Sequence, residues 1–255
     1  MKLVRCIYQG TVRHGILEGE DIHLVRSKKF ERHSITNTVI PLREVMLCAP
    51  CVPSKIVAVG LNYRAHAGEL NMPVPEEPLL FLKPPSAVIG HHDAIVMPAM
   101  SRRVDYEGEL AVVIGKPCRH VLPENAPHVI LGYTCCNDVT ARDLQKKDGQ
   151  FTRSKGFDTF CPVGPWIETE LDPNNLVITT KVNSVTKQHA WTGDMIFSVF
   201  HLVSFISQIM TLLPGDIIAT GTPPGIGPLQ PGDRVDITIQ GIGTLSNSVV
   251  NELKP

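Results

Sequence analysis

The first 26 residues alternate apolar and polar positions in short runs. Residues 2–8, 11–17 and 21–26 are separated by Gln9-Gly10 and Glu18-Gly19-Glu20, which predicts a small antiparallel meander. Cys48-Ala-Pro-Cys-Val-Pro53 then places two prolines in six residues and marks a boundary. We expect a small N-terminal β domain over residues 1–52 and a larger domain over 53–255. Beyond the boundary KIVAVGLNY reads as a strand, Tyr63–Leu70 as a polar helical patch and NMPVPEEP as a proline-rich loop. LLFLK, AIVMP and VDYEGELAVVIG read as further strands. VILGYTCC (129–136) runs into Asn137-Asp138, a helix N-cap pattern ahead of VTARDLQKK. MIFSVFHLVSFISQIMTLL (195–213) is long and apolar but is broken by Ser198, His201, Ser204, Ser207 and Gln208. It is expected to be a buried amphipathic helix and not a membrane span. Two Pro-Gly-Asp turns, at Pro214 and Pro231, each lead into a strand. Strands outnumber helices and no βαβ rhythm repeats, so the expected class is α+β, mainly β.

Composition narrows the function. The 255 residues are 43% hydrophobic, enough for a sizeable core, and 24 Lys+Arg balance 25 Asp+Glu. No basic block points to nucleic acid or an anionic membrane as partner. The opening MKLVRCIYQG lacks an apolar signal-peptide core, and the seven cysteines are an odd number, so the expectation is reduced thiols in the cytoplasm. Cys48-Ala-Pro-Cys51 has CxxC spacing without the second pair or histidines that zinc requires, and reads as ordinary thiols. His91 and His92 read as a polar loop. GTPPGIG lacks the Gly-Lys-Ser/Thr of a phosphate-binding loop and reads as a tight turn at a pocket edge.

The chemistry concentrates in VDYEGELAVVIG. In a strand, Glu107 and Glu109 point to one face, with backbones roughly 7 Å apart. Both faces beyond them are apolar, so the strand is expected to be covered on both sides. Two like charges in a dry setting call for a cation, protonation, or a lysine or arginine. A hard divalent ion is the strongest candidate. Surface glutamates at a strand end are the plain alternative, and a glycosidase carboxylate pair is a weaker one, since aromatics are only 5% of the chain. Asp138 is a third carboxylate or only a cap. Arg142 and Gln145 share a helix face, and Lys155 sits beside Gly156 in a loop.

Taken together, VGLNYRAHAGEL (59–70), LLFLKPPSAVIG (79–90), VDYEGELAVVIG (104–115), GYTCCNDVTARDLQ (132–145), SKGFDTFCPVGPW (154–166) and LLPGDIIATGTPPGIG (212–227) resemble the fumarylacetoacetate hydrolase family, in its acylpyruvase and 2-hydroxyhepta-2,4-diene-1,7-dioate isomerase-like branch. The resemblance implies a mixed β-sandwich roll with short helices, usually homodimeric. It implies a Mg²⁺ site, with Mn²⁺ or Ca²⁺ as alternatives, built from Glu107, Glu109 and Asp138. It implies substrate contacts from Arg142, Gln145 and Thr222, a catalytic Lys155, and Lys83 lining the same pocket. It also implies a lid on which His66 and Glu69 activate water. One position departs from the pattern: Ala65 precedes His66 where relatives often carry Asp. The implied activity is a metal-enolate reaction on a small 2-oxo acid, foremost hydrolysis of a carbon–carbon bond in an acylpyruvate or fumarylpyruvate-type substrate. Isomerisation, tautomerisation or oxaloacetate decarboxylation use the same intermediate, and a non-catalytic metal-binding scaffold is the reading of another class.

Overall fold

The computed structural model describes residues 1–26 and 35–253. The alternating N-terminal runs form Lys2–Tyr8, Thr11–Glu18 and Asp21–Val25, paired antiparallel in sequence order, with Ile35–Pro41 added beside the third. This meander is continuous with the main sheet. Lys2 and Leu3 pair with Glu168 and Ile167 of Cys161–Glu168. From there the sheet runs through Ile130–Asn137, Gly108–Ile114, Ile217–Ala219, Ile56–Val59 and Leu80–Lys83. A second sheet orders Val185–Trp191, Val177–Val182, Arg234–Ile239, Gly243–Asn251 and Ala94–Met97. Among the described residues α-helices are few and short: α1 (Arg64–Glu69), α2 (Arg142–Asp148), α3 (Thr152–Lys155) and α4 (Val199–Ile209). The protein is thus α+β and mainly β, as its patterning predicts. Among the described residues no helix is long and apolar enough to cross a membrane. The 195–213 run yields α4 alone, started by the Ser198 hydroxyl, which accepts from the His201 N–H.

Gly108–Ile114 is the wall between cores, and every residue from Val104 to Ile114 is buried. Leu110, Val112 and Ile114 pack with Ile178, Ile237 and Leu245 of the second sheet. On the other face Ala111 joins Ile56, Ala58 and Ile217, and Val113 joins Leu3, Ile16 and Ile167. Each Leu, Ile or Val among them contributes about 1.5–3 kcal/mol on full burial. The glutamates therefore do not sit at a solvated strand end.

The predicted single strand is broken at Glu107. Val104–Tyr106 leaves the main sheet and joins a small sheet with Thr140–Ala141 and Gly227–Pro228. Its partner strand turns at the same place. Gly108 pairs with Asn137 on one side of the break, and Asp105 pairs with Thr140 on the other. One antiparallel pair thus passes from sheet to sheet, kinked at Glu107 and Asp138, whose backbones meet where the Asp138 N–H donates to the Glu107 carbonyl at 2.8 Å. Irregularities of this kind re-aim side chains. The kink also corrects the N-cap expectation for Asp138. Pairing of Thr140 and Ala141 delays the helix to Arg142, and Ala141 takes the cap position without a side-chain bond.

Candidate active site

The kink delivers three carboxylates to one point. Glu107, Glu109 and Asp138 are buried, and each offers a ligand oxygen within 4.8 Å of the others. Cations gather on two of them. The Lys155 ammonium donates to Glu107 Oε2 at 2.9 Å and to Asp138 Oδ2 at 2.5 Å. Lys83, itself buried, donates to Asp138 Oδ1 at 2.5 Å and to the Val139 carbonyl at 3.2 Å. Arg142 donates to Glu107 Oε1. Among the described residues Glu109 receives only the Gly221 N–H, at 2.8 Å on Oε2.

This asymmetry separates two glutamates that sequence spacing treats alike. Burial works against ionising Glu107, but Lys155 and Arg142 overcome it and hold the carboxyl down at about 2. Burial also raises Glu109, and there the neighbouring Asp138 and Glu107 charges add to it, so its carboxyl lies well above the usual range. Burial disfavours the Lys155 ammonium, yet Asp138 and Glu107 raise its pKa and keep it charged.

Local sequence explains each placement. Lys155 closes the single turn of α3, and Gly156 follows because a Cβ there would lie 2.4 Å from the Thr152 carbonyl oxygen. Arg142 and Gln145 share a face of α2 as their spacing predicts, and Arg142 Nη1 donates to Gln145 Oε1 at 2.6 Å. The guanidinium is also anchored from behind, with Nε 2.9 Å from Asp105 Oδ2. Sequence reading missed Asp105, a fully buried carboxylate that Arg103 also grips. A signal was present, since Asp105 has the same parity as Glu107 and Glu109.

The other predicted residues come from elsewhere. His66 on α1 is 3% exposed, and its Nδ1 lies 2.7 Å from Glu69 Oε2. Glu69 Oε1 accepts from the Gly225 N–H at 3.0 Å. Ala65 is solvent-exposed and takes no part. Among the described residues no direct bond joins His66 to the carboxylates; the path runs through the loop Gly221–Gly225. Thr222 of that loop is buried and donates to the Gly108 carbonyl at 3.0 Å. Tyr63, which precedes α1, is 1% exposed with a hydroxyl that has no partner among the described residues, and burial together with the Glu109 charge raises its pKa. His91 and His92 lie against each other with ring centroids 3.8 Å apart and rings tilted by 41°, outside the carboxylate group, and all seven cysteines are free thiols.

The residues fit a hard cation. Three carboxylates converge, and one of them has an oxygen without a partner among the described residues and a raised pKa that only a cation or a proton relieves. The flanking lysines and Arg142 suit an anionic substrate.

The chain belongs to the fumarylacetoacetate hydrolase family, whose members include hydrolases, isomerases and tautomerases. The family model for the fumarylacetoacetate (FAA) hydrolase C-terminal region matches residues 55–250, and an Rv2993c-like N-terminal model matches residues 1–50. A crystal structure of 5-carboxymethyl-2-hydroxymuconate delta-isomerase from Mycobacterium smegmatis superposes with a TM-score of 0.94 at 46% identity, covering 99% of this chain and 100% of that one. The mitochondrial oxaloacetate tautomerase FAHD2A of Bos taurus is 44% identical over 225 residues, 83% of this chain and 72% of that protein. Maleylpyruvate hydrolase from Sphingobium sp. SYK-6, crystallised with manganese(II) and pyruvate, is more distant, with a TM-score of 0.84 at 34% identity over 99% of this chain and 100% of that one.

Proposed function

We propose that the protein is a divalent-metal-dependent enzyme that moves a proton on a small 2-oxo acid, as a keto–enol tautomerase or double-bond isomerase. The observation that carries this reading is the buried trio Glu107, Glu109 and Asp138, joined through one loop to a dyad of a buried His66 and a partly exposed Glu69. The relatives named for proton-transfer reactions are 44–46% identical, above the 34–38% of those named hydrolases, and this ranks isomerisation ahead of carbon–carbon cleavage.

Glu107, Glu109 and Asp138 would hold the ion, with Mg²⁺ proposed and Mn²⁺ or Ca²⁺ as alternatives. A bound ion there supplies Lewis acidity that stabilises negative charge on a substrate oxygen. The chain's own groups do the rest. Lys155 stays charged and fixes Glu107 and Asp138 in place, while its positive field draws a carboxylate substrate. Arg142, tied to Asp105, adds to that field without swinging away. Glu69 holds His66 by Nδ1, which leaves Nε2 to exchange a proton and stabilises the imidazolium that forms. Tautomerisation needs one such group, which takes the proton from carbon and returns it to oxygen, or the reverse, and consumes no water.

Carbon–carbon hydrolysis of an acylpyruvate-type substrate is the second reading, because the same dyad can take a proton from water. The test is a panel of enol-oxaloacetate, a 2-hydroxymuconate-type dienoate and acetylpyruvate, given to EDTA-stripped protein before and after addition of Mg²⁺ or Mn²⁺. We expect an ion-dependent absorbance change on the enol or the dienoate, with no pyruvate released. Pyruvate from acetylpyruvate would install the second reading instead. No ion-dependent turnover of any member would remove the enzyme reading.

A further inference from the structure

Gln188 lies in Val185–Trp191 of the second sheet, far in sequence from every residue of the site, and is 1% exposed. Its amide is fully committed. Oε1 accepts from the Gly108 N–H at 3.0 Å, and Nε2 donates to Thr222 Oγ1 at 2.7 Å and to the Pro223 carbonyl at 2.8 Å. It thus ties the strand break beside Glu107 to the loop Gly221–Gly225. That loop has two further ties of functional interest. The Gly221 N–H holds Glu109, and the Gly225 N–H holds Glu69 of the dyad. The loop has little freedom between them. Gly221 and Gly225 have φ of +98° and +99°, and Cβ atoms there would lie 2.6 Å from Asn62 Cβ and 2.1 Å from the Lys187 carbonyl oxygen. The loop rests on the strand that carries Gln188.

We propose that Gln188 is a positioning residue that makes the carboxylate cluster and the His66–Glu69 helix one mechanical unit, so that filling the first seats the second. The proposal rests on Glu109 being an ion ligand. An ion that draws Glu109 inward carries Gly221 with it. Gln188 keeps the loop rigid, and Gly225 presses on Glu69. Without Gln188 the loop can flex at Thr222 and Pro223, and the message stops there.

The experiment reads binding and seating separately, with Mn²⁺ as the probe: calorimetry for affinity and amide hydrogen exchange for residues 64–70. In the wild-type chain we expect saturating Mn²⁺ to slow exchange in this segment about fivefold or more, the low end of ordinary coupling energies. In Gln188→Met, an isosteric loss of all three bonds, Mn²⁺ at saturation should slow it less than about twofold. Full slowing in Gln188→Met overturns the proposal. Wild-type binding without slowing overturns the proposal alone. Absence of wild-type Mn²⁺ binding overturns the ion-site reading, and the proposal with it. Should Gln188→Met fail to fold, Glu69→Ala cuts the other end of the relay at a partly exposed side chain. It should keep Mn²⁺ affinity within about twofold and still lose the slowing, and retention of the slowing there is equally fatal.

Discussion

Glu107 and Glu109 are two residues apart and chemically identical, yet their substitution should move stability in opposite directions. Glu107 is held at about 2 by Lys155 and Arg142. Its contribution to stability is complete above the unfolded carboxylate range and is lost as pH falls through that range toward 2. Glu107→Gln leaves Arg142 and Lys155 short of a buried partner, and should cost about 3 kcal/mol in urea unfolding of the metal-free protein at neutral pH. Glu109 has the reverse linkage. Its carboxyl is raised by burial and by Asp138 and Glu107, so the metal-free fold loses stability as pH rises above the unfolded carboxylate value. Glu109→Gln removes the ionisable carboxyl, and a relief of about 1 kcal/mol would raise Tm by about 2–4 °C in a chain of this size. Both variants should lose Mn²⁺ affinity by calorimetry. Equal destabilisation by the two would refute the division of labour between them.

At the scale of elements, the strands and the motif positions were legible because they depend on local periodicity. The first three meander strands, the strands in KIVAVGLNY, LLFLK and VILGYTCC, and the shared face of Arg142 and Gln145 follow from spacing along one segment, whereas Ile35–Pro41 and Cys161–Glu168 of the same sheet were not read from it. The kink does not, because VDYEGELAVVIG carries one uninterrupted alternation. Only pairing with Thr140–Ala141 and Gly227–Pro228, remote in sequence, pulls its first three residues into another sheet. Gln188 was illegible for the same reason, since it acts through partners on other elements, whereas Asp105 shared the parity of the two glutamates and was missed. Gly108 is the hinge of the kink, and a Cβ there would lie 2.1 Å from Thr180 Oγ1. Gly108→Ala should therefore destabilise by about 1–3 kcal/mol, as overpacking does, measured by chemical unfolding. The six-residue α1 shows the converse, an element whose value is chemical more than structural. His66→Ala should leave Mn²⁺ affinity unchanged and lower kcat on the responsive substrate about 10²–10⁴-fold. Unimpaired turnover would take the dyad out of the reaction.

For the whole molecule, the carboxylate trio lies at the junction between the main sheet and the small sheet. Glu109 belongs to the first, while Glu107 and Asp138 sit where the paired strands pass to the second. An ion held there links elements that otherwise meet at a kink, so its binding energy should appear as global stability rather than as local order. An ion at 100 times its Kd adds about 2.7 kcal/mol to unfolding. The gain must depend on pH in a set direction. Glu107 is ionised throughout the neutral range and contributes no slope there. Glu109 has to release a proton to bind the ion, so apparent affinity should climb by up to about tenfold per pH unit until its raised pKa is passed. Thermal unfolding at fixed Mn²⁺ between about pH 5 and 8 should show a shift over the metal-free protein that widens with pH. In Glu109→Gln that slope should vanish, since no proton is left to displace. A shift of constant size across this range in the wild-type chain would mean that the ion does not compete with a proton for Glu109, and the third ligand would have to be sought elsewhere.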